Sequence, residues 1–195
     1  MISPNQAARF KRLAWPFMSV VLRTSECLTR SSDQAEDLAQ ETMLKALRAI
    51  DSYQDDTDMR AWLLTIMRRT HIDCLRAVRN RPLQLSLDGT ALDLPDNEDP
   101  PSGRLDEQWE EPEELMDRFD DETVIEAMRA LPNDIRWTLL LVDIEQMAQA
   151  DAAAVLGVPV GTIKSRAHRG RAMLRDQLCQ FALQRGWLRK KEGAE

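Results

Sequence analysis

Apolar positions in this chain recur at the three- and four-residue spacing of helices. No stretch shows the strict alternation of a half-buried strand, so no sheet is expected. Residues 5–30 can form one helix, with Pro16 tolerated at a kink. Asp33 followed by Glu36 resembles a capping box opening the helix QAEDLAQETMLKALRAI. Its inward face is traced by Ala35, Leu38, Ala39, Thr42, Ala46 and Ile50. Its outward face carries Asp37, Gln40, Glu41, Lys45 and Arg48. The polar loop DSYQDDTD then leads into a helix over MRAWLLTIMRRTHIDCLRAVR. There the apolar set includes Trp62, Ile66, Ile72 and Leu75, while Arg68, Arg69, Arg76 and Arg79 supply cations.

A second helical block follows further along. Val124, Ile125, Met128 and Leu131 line one face before Pro132 stops that helix, and Trp137, Leu140, Leu141 and Ile144 line the next. A short helix over about residues 149–156 ends at Gly157, a plausible C-cap. The stretch LGVPVGTIKSRAHRGRAML then reads as a tight turn feeding a two-striped helix. Ile163, Ala167, Gly170 and Leu174 keep to one side of it. Lys164, His168, Arg171 and Arg175 repeat one residue later, about 100° round the axis. Short helix, glycine-containing turn and longer basic helix make a helix-turn-helix. Such a helix can pack on a small domain and still push cations and donors into a major groove. Taken alone, it also fits a solvated amphipathic surface helix.

Charge divides the chain in three. Residues 1–80 hold 12 Lys/Arg against 10 Asp/Glu, residues 81–122 hold 3 against 15, and residues 123–195 hold 11 against 8. The net charge of −7 therefore belongs to the middle, and the two flanks are mildly basic. The middle also carries Pro82, Pro95, Pro100, Pro101 and Pro112. Too few aliphatics stand there to offset the entropy of ordering. It is expected to be a disordered linker, with a short helix from about Glu113 to Phe119 and a stray aromatic, Trp109. The fold class is thus all-α: two small helical domains, residues 5–80 and 123–190, joined by a long acidic flexible linker, 81–122.

Several functions are excluded or unsupported. No apolar run reaches the length of a membrane span. The N-terminal stretch lacks a signal peptide's continuous apolar core, so the protein is expected in the cytoplasm. Cys27, Cys74 and Cys179 are odd in number and form no CxxC pair, and His71 and His168 show no metal-ligand spacing with them. No phosphate loop, nucleophile elbow or paired-ligand cluster suggests an enzyme, and no cofactor is expected.

Together these segments resemble an extracytoplasmic-function (group IV) sigma factor of bacterial RNA polymerase. AEDLAQETMLKALRAIDSY and RAWLLTIMRRTHIDCLR are similar to the family's region two. ALPNDIRWTLLLVDIEQM and LGVPVGTIKSRAHRGRAML are similar to its region four. Two blocks in this order, with a variable linker between, are far more specific than a lone helix-turn-helix.

The resemblance implies a protein that binds core RNA polymerase, recognises promoter DNA at the −35 and −10 elements, and directs initiation. It places Asp37, Gln40 and Glu41 on a coiled coil of the polymerase β′ subunit, with region four at the β flap. It assigns the melted −10 element to Tyr53, Gln54, Asp55, Asp56 and Thr57, which could form a base pocket, with Arg68, Arg69 and Arg76 on the strand's backbone. For the −35 element it carries over Lys164, Ser165, His168 and Arg169, with Thr162 and Arg166 nearer the phosphates. Trp62 is expected to anchor the core rather than stack on DNA.

The sequence also departs from the family. Arg69 stands where an asparagine is frequent. Ala148, Gln149 and Ala150 replace the usual serine and acidic start of the short helix, a lost N-cap of about 1 kcal/mol. No appended zinc-binding anti-sigma motif is present, so control is expected from a separate anti-sigma factor. The acidic linker can act as a plain tether or mimic nucleic acid in the polymerase's RNA path, and the size of its charge favours the second. Two rival readings stay open: a stand-alone helix-turn-helix regulator, and an adaptor that binds only protein.

Overall fold

The computed structural model describes residues 2–55, 57–79 and 121–186. Among these the protein is helical throughout, without strands. The N-terminal domain comprises α1 (Pro4–Leu13), a 3-10 turn (Trp15–Phe17), α2 (Met18–Leu28), α3 (Ser32–Ala49), a second 3-10 turn (Ile50–Ser52) and α4 (Met59–Arg79). The C-terminal domain comprises α5 (Asp121–Ala130), α6 (Asn133–Leu139), a π turn (Leu140–Ile144), α7 (Gln149–Leu156) and α8 (Val160–Gln184). The expected linker, including the helix at Glu113–Phe119 and Trp109, lies almost wholly outside the described residues.

Two expectations for the first block need correction. Residues 5–30 are not one helix: α1 stops at Leu13 and α2 restarts at Met18. Pro16 has no N–H to give and its ring would meet the carbonyl one turn back. The chain therefore tightens into the 3-10 turn, with Phe17 N–H donating to Ala14 O at 3.0 Å. The cap of α3 is Ser31, not Asp33. Its hydroxyl accepts from Gln34 N–H at 3.3 Å, two residues ahead of the expected box. A reciprocal capping box does exist, at α1, where Ser3 and Gln6 bond each other's backbone N–H.

The inward face of α3 is as its spacing predicts: Ala35, Leu38, Ala39, Thr42, Ala46 and Ile50 are all buried. Its alanines let α2 and α4 approach closely. Helix α4 spans the expected residues but buries a different set. Leu63, Leu64, Met67, Thr70 and His71 are covered, whereas Trp62, Ile66 and Ile72 are half-buried and Leu75 is exposed. The reason is that α4 is flanked on two sides, by α3 and by α7 of the other domain. A single-stripe pattern does not anticipate two partners.

In the C-terminal domain, α5 and α6 sit across α8. Close packing depends on Gly170: a Cβ there would fall 2.7 Å from Ile135 Cγ2 and 3.0 Å from Leu139 Cγ.

The two domains meet along a seam between α4 and α7 and between α2 and the start of the second domain. Arg129 Nε donates to Glu26 O at 3.0 Å. The Arg136 guanidinium donates to Leu28 O, Arg129 O and Leu131 O. These are carbonyls at or beyond helix C-termini, which have no partner within their own helix. Glu145 is only 2% exposed and accepts from Arg23 at 2.9 Å, with Arg60 3.8 Å from its other oxygen. Trp137 Nε1 donates to His71 Nδ1 at 3.2 Å, both side chains being buried. Burial, and then the neighbouring Arg136 charge, push the His71 imidazole down to about 4. It stays neutral, as the acceptor role of Nδ1 requires.

Candidate nucleic-acid interface

The turn before α8 is built by its sequence. Gly157 adopts φ 63, ψ 37, the left-handed conformation that ends α7 without a Cβ clash. Gly157 N–H then donates to Ala154 O and Val158 N–H to Ala153 O, a complete Schellman closure. Pro159 follows with extended backbone as N-cap, so α8 starts at once in a new direction.

Along α8 the two stripes separate as their spacing predicts. Ile163, Ala167 and Gly170 are buried, and Leu174 is half-buried. Lys164, Ser165 and His168 are exposed, and Thr162 and Arg169 are half-buried beside them. Ser165 Oγ donates back to Thr162 O at 3.1 Å, which leaves its lone pairs outward. Arg171 and Arg166 on this helix are otherwise engaged. Arg171 forms a two-pronged pair with Asp143, at 2.7 and 3.1 Å. Arg166 turns back to Asp134 at 3.0 Å and is only 16% exposed, so its guanidinium faces the domain seam rather than the outer surface.

The N-terminal surface is assembled differently. Tyr53 is buried, against the expectation that its ring would wall an open base pocket. Its hydroxyl donates to Thr57 O, and its ring meets Trp62 edge-on with centroids 5.3 Å apart. Tyr53 thus supports the loop from beneath, and Trp62 shares that half-buried layer. Thr57 Oγ1 donates to Gln54 O at 2.8 Å, and Asp58 accepts from Arg60 N–H at 2.8 Å at the mouth of α4. Of the residues expected to form the pocket, Gln54, Asp55 and Thr57 are exposed; Asp56 lies outside the described residues. Beyond the loop, Arg69 and Arg76 are exposed. Arg68 is half-buried in a cleft of about 70 Å³ shared with Ile72, Asn133, Asp134, Trp137 and Arg166. Burial, then the Arg166 and Arg69 charges, hold its ionisation below the usual arginine range.

On α3, Asp37 and Gln40 are exposed, and Glu41 lies 3.7 Å from Lys45. Leu44 joins them, 45% exposed, a residue that sequence reasoning missed. Its spacing from Gln40 and Glu41 could have found it, since residues three and four apart share a helix face. Arg9, Gln6, Arg23 and Glu145 were missed too, and no local pattern marks them. Among the described residues no helix is long and apolar enough to cross a membrane.

Comparison with known proteins gives the same two blocks. Residues 16–81 match the family model for sigma-70 region 2, and residues 121–174 match that for sigma-70 region 4. The ECF RNA polymerase sigma factor EcfG of Rhodopseudomonas palustris is 35% identical over 147 residues, 75% of this chain and 72% of that protein. The ECF RNA polymerase sigma factor SigC of Mycobacterium tuberculosis is 37% identical over 150 residues, 73% and 69% of the two chains. Among solved structures, the sigma factor RpoE from Bartonella quintana, crystallised with the anti-sigma factor NepR, superposes with a TM-score of 0.66 at 26% identity. The match covers 87% of this chain and 96% of that one. Two family matches in this order, with relatives more than 30% identical over most of both chains, leave one assignment: the chain belongs to the extracytoplasmic-function sigma factors of bacterial RNA polymerase.

Proposed function

We propose that α3 docks core polymerase through Asp37, Gln40, Glu41 and Leu44, on the β′ coiled coil, while the C-terminal domain sits at the β flap. The loop edges Gln54, Asp55 and Thr57, with Arg69 and Arg76, take the melted −10 strand. Lys164, Ser165, His168 and Arg169 read the −35 duplex, with Thr162 beside them. Support comes chiefly from one observation: on α8 these donors stand on the outer face of a helix whose opposite stripe is buried. Arg68 and Arg166 reach DNA only once the seam opens, because both lie in the cleft between the domains.

The docked arrangement is a closed form. Elements named −35 and −10 lie about 25 base steps apart, roughly 85 Å at 3.4 Å per step. Two domains in contact cannot occupy both. Opening the seam is therefore part of the working cycle, and polymerase binding supplies the energy for it. A separate anti-sigma factor holds the closed form; the likeness to a sigma factor solved with its anti-sigma partner supports this.

The test is transcription in vitro by core polymerase on a promoter library, with and without this protein. Start sites enriched only in its presence, sharing upstream and downstream elements, are expected. Unchanged start sites would overturn the proposal, and tight duplex binding without polymerase would point to a stand-alone regulator.

A further inference from the structure

The loop between α3 and α4 closes on itself at Gln54–Thr57 and Tyr53–Thr57. Its long-range tie comes from α1, more than forty residues away. Arg9 Nη1 donates to Ile50 O at 2.9 Å, and Arg9 Nη2 donates to Tyr53 O at 2.7 Å and also to Asp55 Oδ1. Gln6 Nε2 donates to Asp51 Oδ2 at 2.7 Å, while Gln6 itself is locked by the capping box with Ser3. One planar guanidinium thus fixes the end of α3, the turn after it and an exposed carboxylate. A lysine ammonium could not span all three acceptors in that fixed geometry.

The consequence lies in recognition. Asp55 is one of the exposed loop residues, and its side chain is 60% exposed. Free, a carboxylate sweeps through several rotamers and accepts from any donor within reach. Held by Arg9, one oxygen is occupied and the other keeps a set direction. We propose that Arg9, seconded by Gln6, is the positioning residue that sets base preference at the melted −10 element, acting through Asp55 and the backbone of the loop. The proposal rests on the sigma-factor reading. Arg9 sits on the inner side of the loop, 22% exposed at its side chain, and is not itself assigned to DNA.

The experiment uses full-length protein, core polymerase and promoters with randomised −10 positions and a fixed −35 element. Arg9→Lys, Arg9→Gln and Gln6→Ala are compared with the wild type, and start-site sequencing gives the preference at each position. Losing the geometry of one good bidentate contact is worth about tenfold or more in base discrimination. Arg9→Lys and Arg9→Gln should therefore flatten the −10 preference by about tenfold while leaving the −35 preference unchanged. Gln6→Ala should flatten it less. A uniform loss of yield with the wild-type preference pattern retained would reduce Arg9 to a structural role and overturn the proposal. Should the Arg9 variants fail to fold, Gln6→Ala decides alone, since an unaltered −10 preference there overturns the clamp. Failure of the sigma-factor reading is distinguishable: wild-type protein would then leave start sites unchanged in the same assay.

Discussion

The two surfaces proposed to face DNA solve one problem by opposite means. On α8 a single helix supplies everything: a buried stripe sets the roll, and the donors follow one residue behind. At the N-terminal surface, loop edges are placed by Arg9 from α1, by Tyr53 beneath, and by Trp62 from α4. The first surface survives most changes outside its helix. The second depends on contacts distant in sequence, and its helix α4 is partly covered by the other domain. Rigidity is local in one and long-range in the other.

The largest test of this contrast falls where the surfaces meet. Trp137→Ala removes a side chain 2% exposed, and should cost about 3–5 kcal/mol in denaturant unfolding. It should also loosen α4, read as faster amide exchange around His71. An equal loss without change in α4 would show that the seam does not couple the surfaces.

Next is acidity. Undocked, His71 regains its ordinary value near 6.5; docked, it is held at about 4. The docked state therefore binds fewer protons over this window. Its stability from this group is full above about pH 6.5, falls as pH drops toward 4, and is flat below. The total is on the order of 3 kcal/mol. Energy transfer between dyes on the two domains should decline over that window, and His71→Gln should remove the dependence.

A third test separates the cations of α8. Lys164→Ala and Arg169→Ala should each weaken −35 discrimination by about 1–3 kcal/mol in holoenzyme binding titrations. Arg166→Ala should act mainly on the stability of the C-terminal domain, through loss of the Asp134 pair that ties α8 to α6. The smallest effect concerns Ala148, the N-cap of α7, which makes no side-chain cap bond. Ala148→Ser should raise stability by about 1 kcal/mol, seen as a higher thermal midpoint.

Legibility in the sequence follows the same division. Helix α4 and the turn at Gly157 emerge from spacing and punctuation, because both are local. The covered face of α4 does not, since α7 arrives from beyond a linker. The resemblance places Tyr53 in a base pocket, yet only the fold shows its hydroxyl turned inward to Thr57 O. Which side of α8 faces outward was readable from the spacing, except at Arg166, whose rotamer is decided by Asp134 on another helix. Pro16 was visible, but whether a proline bends a helix or ends it depends on what packs beside it.

The arginine contacts that close the seam carry a consequence of their own. Arg129 and Arg136 reach for backbone oxygens, and Glu145 for two guanidinium groups. Such bonds are exchanged with solvent at modest net cost once the groups are hydrated. Water can stand in for those polar ties when the joint parts, so what resists parting is the apolar packing of α4 on α7, and that packing is what a binding partner has to replace.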